Sequence, residues 1–145
     1  MSDANVASQA YVPFRQGLFR FEEGVGELLG GRCRHCGTWY FPSRRVCAKC
    51  LSQKIEVLPL SKQGTVYTYT TIYQSTPEFQ VPYILVYVDL PEGVRVLAQL
   101  TQCSPEAVRI GMPVEVVFEE VGRDQEGRAI IGYRFRPVGP WVRES

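Results

Sequence analysis

Two Cys-x-x-Cys pairs constrain this chain more than any other feature of its sequence. Cys33 and Cys36 form the first pair, Cys47 and Cys50 form the second, and ten residues lie between the pairs. Each pair can present two thiolates from one tight turn, and two such turns complete the tetrahedral four-sulfur set of a closed structural zinc site. We therefore expect a zinc ribbon with a compact hairpin between the two turns.

The same four thiols leave two alternatives open, a rubredoxin-type iron site and a pair of disulfides. The spacing favours zinc. Four of the five Cys fall in this pattern, which fits a reducing compartment, and a reducing compartment disfavours disulfides. A catalytic zinc is not expected, since four thiolates leave no position for water or substrate. We expect His35 to be exposed and uninvolved, and Cys103 to be an ordinary half-buried residue.

Length and composition limit what surrounds the ribbon. A ribbon of about 30 residues cannot bury an adequate core alone, and the 145-residue chain leaves room for one further small domain. The polar N-terminus lacks the apolar core of a signal peptide, and no apolar run is long enough to span a membrane. We therefore expect a cytoplasmic protein without a membrane contact.

The segment before the ribbon has an apolar stripe. Phe14, Leu18 and Phe21 are spaced by four and three residues, which predicts one face of a short helix over about residues 12–23. This stripe packs either on the chain's own ribbon or barrel, or on a partner subunit for which a terminal helix is a natural docking arm.

After about residue 60 the chain has the composition and alternation of β-strands. We expect strands over residues 65–73, 82–88, 94–100, 114–121 and 129–136, with a short helix beginning at Ser104. Five strands with a helix between the third and fourth is the order of an OB barrel. The predicted fold is mainly β, with a tail and N-terminal helix (1–25), a zinc ribbon (26–60) and a five-stranded OB-fold domain with a C-terminal tail (61–145).

Basic residues concentrate in the ribbon, although the formal net charge of the chain is only +1. They are Arg32, Arg34, Arg44, Arg45, Lys49, Lys54 and Lys62, in a stretch whose only acid is Glu56. They either are solvated and offset the thiolate charge, or contact phosphate groups. The aromatic residues Trp39, Tyr40 and Phe41 are expected to cover the metal and form the ribbon's core. Alternatively, Trp39 or Phe41 lines a ligand slot or an interface.

The sequence contains no evident catalytic constellation. It has a single His, no phosphate loop and no Ser/His/Asp set. This favours a binding or accessory protein. One alternative is a single-stranded nucleic-acid-binding module, because Tyr67, Tyr69 and Tyr73 share one predicted strand face on which bases could stack. The near-neutral charge and the acids of the fourth strand argue against that alternative.

From about Phe14 to Pro137 the chain resembles the zinc-ribbon plus OB-fold proteins known as the DUF35 family. The shared motifs are Gly26-Glu27-Leu28 before Cys33-x-x-Cys36-Gly37, Phe41-Pro42-x-Arg44, Cys47-x-x-Cys50, Gly64-Thr65-Val66-Tyr67-Thr68, Val88-Asp89 with Glu92-Gly93, Gly111-x-x-Val114 and Phe135-x-Pro137. Leu51 departs from the pattern, because the family usually has Gly after the second Cys pair.

The resemblance implies a non-catalytic subunit that forms a hetero-oligomer with a thiolase-like or 3-ketoacyl-CoA synthase-like subunit. Such a subunit stabilises its partner and helps to hold acyl-CoA while carbon–carbon bonds are cleaved or formed, as in thiolases, acyltransferases or aldol lyases. It implies structural Zn²⁺ and a shared coenzyme A thioester. For coenzyme A we expect Arg44, Arg45 and Lys49 to meet the phosphates and Trp39 or Tyr67 to stack on adenine. A carrier or scaffold without an enzyme partner remains a third interpretation.

Overall fold

A computed structural model describes residues 11–13, 17–74, 77 and 81–138. Within them all regular structure is β. The strands are β1 (Tyr11–Pro13), β2 (Phe19–Glu22), β3 (Val25–Cys33), β4 (Trp39–Tyr40), β5 (Ile55–Pro59), β6 (Gln63–Ile72), β7 (Tyr83–Asp89), β8 (Arg95–Leu100), β9 (Pro113–Arg123) and β10 (Ala129–Pro137). The described residues thus include no helix of the length and apolar character that crossing a membrane requires.

Strands β6 to β10 close into a five-stranded barrel. β6 pairs antiparallel with β7, and β7 pairs antiparallel with β8. β8 meets β10 in parallel through Leu100 and Phe135, β10 pairs antiparallel with β9, and β9 returns to β6. This is the predicted OB order, and every predicted strand is confirmed to within two residues at each end.

The barrel core comes from strict alternation along the strands. Val96, Ala98 and Leu100 of β8 point inward and are at most 8% exposed, while Phe135 of β10 is fully buried. The helix expected at Ser104 is wrong, because residues 105–107 form only a turn. The segment from Ser104 to Gly111 is too short for a stable helix, and Gly111 ends it with a φ of +90°.

The helix expected over residues 12–23 is also wrong in the residues that the structure describes. β1 pairs in parallel with β10, and β2 pairs antiparallel with β3. Between β2 and β3 lie only Glu23 and Gly24, with φ of +54° and +80°, as in a tight two-residue hairpin. Phe14 lies outside the described residues. Leu18 is 7% exposed and belongs to the chain's own core, which is the first of the two alternatives for the apolar stripe.

The face assignment along β6 needs a correction. The pairing with β7 shifts register between Val66 and Thr68, so that Val66 lies opposite Val88 and Tyr69 lies opposite Val86. Tyr67 is the extra residue of this bulge and stays 48% exposed, while Tyr69 packs against the core. Tyr67 and Tyr69 therefore do not share one face of the strand.

The ribbon is a small antiparallel sheet that packs on the barrel. β3 pairs with both β4 and β5, and Cys33 is the last residue of β3. The rings of Phe19 and Phe118 lie 5.4 Å apart, and those of Phe41 and Tyr133 lie 6.3 Å apart, which joins the ribbon side to β9 and β10. Gly26 leaves room for the Phe118 ring, because a Cβ at that position would overlap it.

Candidate metal centre

The two Cys-x-x-Cys turns meet at one point. The four sulfur atoms of Cys33, Cys36, Cys47 and Cys50 all lie within 4.8 Å of one another. Sγ of Cys33 is 3.6 Å from Sγ of Cys50, and Sγ of Cys36 is 3.5 Å from Sγ of Cys47. A zinc ion with bonds of about 2.3 Å to sulfur implies tetrahedron edges of about 3.8 Å, so this donor set fits structural zinc.

The two turns are built alike. The N–H of Gly37 donates to the carbonyl oxygen of Cys33 at 2.8 Å, and the N–H of Leu51 donates to that of Cys47 at 2.9 Å. Gly37 and Leu51 both have a left-handed backbone, with φ of +81° and +65°. Each turn thereby points its two thiols to the same side, which places both pairs on one metal position.

Hydrogen bonds to sulfur favour the thiolate form that binds metal. The N–H of Cys36 approaches Sγ of Cys33 at 3.5 Å and lowers the pKa of that thiol. The hydroxyl of Tyr40 lies 3.3 Å from Sγ of Cys47, and the N–H of Lys49 lies 3.4 Å from the same sulfur. The Tyr40 hydroxyl is the main cause that lowers the pKa of Cys47 to about 5.

Within the cluster, Cys33 and Cys47 are fully buried, while Cys36 is exposed and Cys50 is half-buried. The two other candidate ligands, His35 and Cys103, lie outside this cluster. His35 is exposed and lines a surface depression. Cys103 is half-buried, with its Sγ 3.5 Å from the carbonyl oxygen of Ser104, and burial raises the pKa of its thiol.

The three aromatic residues between the turns have different positions. Trp39 and Phe41 are half-buried and pack against the hydrophobic core. Tyr40 instead reaches the sulfur of Cys47, a role that the sequence analysis missed. The sequence position of Tyr40 does not predict this contact, because the contact depends on the pairing of Tyr40 with Gly31 across β3 and β4.

Two of the predicted phosphate contacts come together. Arg44 and Arg45 line one surface depression, whose other lining residues are Ser43, Val46, Gln53, Ile55 and Val57. An adjoining depression shares Gln53 and Ile55 and adds Arg34 and Lys54, which the sequence analysis did not single out as site residues.

The other predicted coenzyme A contacts lie elsewhere. Lys49 is exposed on the second turn but lines neither depression. Tyr67 lies in barrel strand β6, and the guanidinium of Arg95 covers its ring at 3.5 Å from the centroid. Trp39 is half-buried against the core.

The ribbon cations differ from the other arginines in their pairing. Within the described ranges, the ion pairs belong to the β2–β3 hairpin or to the barrel, such as Arg134 with Glu119 at 2.6 Å and Arg136 with Glu115 at 2.8 Å. None of the described carboxylates pairs with the ribbon cations Arg34, Arg44, Arg45, Lys49 and Lys54. Arg44 donates from Nε to the carbonyl oxygen of Val46 at 2.9 Å and lies over the Tyr40 ring, but neither contact neutralises its charge.

A four-cysteine ribbon that leads into a closed OB barrel defines the class of this protein. Two family models match in the same order. Residues 23–56 match the rubredoxin-like zinc ribbon domain of ChsH2, and residues 58–119 match the C-terminal OB-fold domain of ChsH2.

Comparison with characterised and solved proteins agrees. A DUF35 domain-containing scaffold protein of Methanocaldococcus jannaschii is 43% identical over 77% of this chain and 82% of its own length. The benzoylsuccinyl-CoA thiolase subunit BbsA of Geobacter metallireducens is 36% identical over 79% and 77%. A solved structure described as the Ltp2-ChsH2(DUF35) aldolase matches with a TM-score of 0.67 and 31% identity, over 77% of this chain and 84% of that one. The chain belongs to the DUF35 family.

Proposed function

We propose that this chain is a non-catalytic subunit of a thiolase-like enzyme, which it stabilises and whose acyl-CoA it helps to hold. The observation that carries this proposal is the similarity to BbsA, a thiolase subunit, over more than three quarters of both chains. The match to the Ltp2-ChsH2 aldolase points the same way, since its description couples a DUF35 chain with a second protein. The catalytic groups then belong to the partner subunit.

The proposed role of the metal is structural. Cys33, Cys36, Cys47 and Cys50 hold one zinc ion, which joins the two turns of a ribbon that has little core of its own. With all four positions taken by sulfur, the ion supplies folding energy and no Lewis-acid chemistry. A metal site of four reduced thiols suits the cytoplasm, which we propose as the compartment.

We further propose that the ribbon contributes to the binding of coenzyme A. Its phosphates are anions that match the unpaired cations Arg44 and Arg45, which line the same depression. Lys49 would add charge from the neighbouring turn. Stacking of adenine on Trp39 or Tyr67 requires a shift of the contacts that these rings now make, with the core and with Arg95 respectively.

An exposed apolar pair on the barrel supports a protein partner. Tyr87 of β7 lies directly opposite Leu97 of β8, and the two side chains are 42% and 47% exposed. Such a pair adds apolar surface that a protein partner would remove from water.

The barrel surface gives less support to nucleic-acid binding. The bulge at Tyr67 separates its ring from Tyr69, so the expected row of stacking residues is interrupted. Arg134 and Arg136 are held by Glu119 and Glu115, which leaves no free basic groove along β10.

Co-purification tests the proposal. The tagged chain is expressed together with a thiolase-like protein encoded near its gene, and with that partner replaced by an unrelated soluble enzyme as the control. We expect the thiolase-like protein to co-elute with the chain at a fixed stoichiometry through gel filtration, and the unrelated enzyme to elute separately from it. Separate elution of the two proteins, together with a shift of single-stranded DNA at physiological salt, would replace this proposal with a nucleic-acid module.

A further inference from the structure

The hydroxyl of Tyr40 bridges the two halves of the metal centre. Tyr40 lies in β4, which pairs with β3, the strand that ends in Cys33. Its Oη lies 3.3 Å from Sγ of Cys47 and 2.9 Å from the backbone nitrogen of Ala48. One side chain from the first half of the ribbon therefore makes two polar contacts with the second Cys-x-x-Cys turn.

The direction of these bonds follows from which of the three groups carries a proton when the metal is bound. The N–H of Ala48 can only donate, so Oη of Tyr40 accepts this bond. As a metal ligand Cys47 is a thiolate with no proton to donate, so the single proton of the hydroxyl is donated to its sulfur. The bond is thus an O–H donor to a thiolate, which is stronger than a bond between two neutral groups.

The first turn has a hydroxyl contact of a different kind, in which Oγ1 of Thr38 lies 3.2 Å from Sγ of Cys36, the exposed cysteine of that turn. Cys33 occupies the position in the first turn that Cys47 occupies in the second, since each accepts a bond at its carbonyl oxygen from the fourth residue on. Both residues are fully buried. Among the described contacts, a side-chain hydroxyl reaches the sulfur of Cys47 but not that of Cys33.

We propose that Tyr40 is a positioning residue of the metal centre, which fixes the second turn before the metal binds and withdraws charge from the Cys47 sulfur once it is bound. The second turn contains no strand of its own and leads into β5, which pairs with β3. The Tyr40 hydroxyl adds a direct polar link between this turn and β4. Partners of this kind, one shell outside the metal, commonly set affinity and ligand orientation. The inference rests on the assignment of the four sulfurs as ligands and is independent of the catalytic partner.

The test compares Tyr40→Phe with the unchanged chain, both carrying Zn²⁺. Phenylalanine keeps the ring and its position under Arg44, whose guanidinium lies 5.1 Å from the ring centroid, and removes only the hydroxyl. Tyr73→Phe is the matched control, because Tyr73 is an exposed residue that directly follows β6. Competition with a chromophoric chelator measures zinc affinity, and Co²⁺ in place of zinc reports on the sulfurs through its charge-transfer absorption.

We expect Tyr40→Phe to bind Zn²⁺ about 10- to 100-fold more weakly, and its sulfur-to-cobalt band to move to longer wavelength because the thiolate becomes more electron-rich. Tyr73→Phe should change neither the affinity nor the band. An affinity within twofold of the unchanged chain would overturn the inference. So would weaker binding with an unmoved cobalt band, because that result would assign Tyr40 a packing role only. Failure of the unchanged chain to bind any metal would instead refute the ligand assignment.

Discussion

Gly37 and Leu51 occupy equivalent positions, each directly after a Cys-x-x-Cys turn, and both adopt the left-handed backbone conformation with φ of +81° and +65°. The turn requires this conformation because the N–H of each residue reaches back to the carbonyl oxygen of the first Cys. Glycine adopts it freely, whereas a residue with a Cβ loses about 1–2 kcal/mol there. Leu51, the residue that departs from the family pattern, therefore carries local strain.

Leu51→Gly should make the zinc-loaded protein more stable. Leu51 is 73% exposed, so little burial is lost. Relief of the backbone strain, less the extra entropy of glycine in the unfolded chain, should raise the free energy of unfolding by about 0.5–1 kcal/mol. Guanidinium titration in excess zinc measures this change. Val57→Gly, at an exposed position in β5, is the control and should lower stability. A loss of stability in both variants would show that the turn does not strain Leu51.

The four sulfurs can be tested by removing them one at a time. Cys33→Ala and Cys47→Ala should lose the metal, because three thiolates no longer form the closed set, and the ribbon should then unfold since it lacks a sufficient core. Cys103→Ala is the control and should keep its metal, because Cys103 lies outside the cluster.

Elemental analysis of freshly prepared, reduced protein gives the identity and amount of the metal. We expect one zinc per chain in the unchanged protein and in Cys103→Ala. Iron in place of zinc would favour the rubredoxin-type site, and disulfides without metal would refute the ribbon.

The junction between ribbon and barrel depends on the absence of a side chain at Gly26. A Cβ at this position would overlap the ring of Phe118, which is packed against Phe19 and Phe21. Gly26→Ala should therefore lower the free energy of unfolding by about 1–3 kcal/mol, the usual cost of overpacking.

Gly122→Ala is the matched control in a strand. The nearest atom to its Cβ would be Cδ1 of Ile130 at 3.9 Å, which is ordinary contact. The free energy of unfolding of Gly122→Ala should differ from that of the unchanged chain by less than about 0.5 kcal/mol. Equal effects of the two substitutions, measured by thermal and denaturant unfolding, would mean that the contact between Gly26 and Phe118 does not join the two parts.

Charge reversal tests the proposed coenzyme A contacts. Arg44→Glu with Arg45→Glu should weaken coenzyme A binding by the assembled complex at least about tenfold, since each lost charge-assisted hydrogen bond is worth about 1.5–3 kcal/mol. Calorimetric titration of the complex with coenzyme A measures this.

Arg123→Glu with Arg128→Glu makes the same change in net charge and is the control. Both residues are exposed and lie in ion pairs at the β9–β10 turn, so binding should be unaffected. Unchanged affinity after reversal at Arg44 and Arg45 would remove them as contacts and leave the accessory role standing.

The sequence predicted the barrel well because its strands depend on local alternation. Val96, Ala98 and Leu100 are buried at every second position, and such a pattern fits few other structures. The metal cluster could be predicted equally well, since it needs only two turns of known geometry, which carry Cys33, Cys36, Cys47 and Cys50.

The N-terminal helix was wrong for a reason that the residues themselves contain. The spacing of Leu18 and Phe21 fits a helix, but Phe19-Arg20-Phe21-Glu22 also alternates with a period of two, and Gly24 suits a tight hairpin. The pairing with β3 decided between these patterns, and a long-range pairing is not visible in a local window. The bulge at Tyr67 and the bond from Tyr40 to Cys47 were missed for the same reason, because both depend on contacts between separate segments.

The most direct test of the account is the activity of the thiolase-like partner with and without this chain. We expect the partner alone to be unstable or nearly inactive on its acyl-CoA, and the added zinc-loaded chain to restore carbon–carbon bond cleavage or formation. We expect no activity from the chain alone. A partner that is equally stable and equally active without the chain would contradict the account.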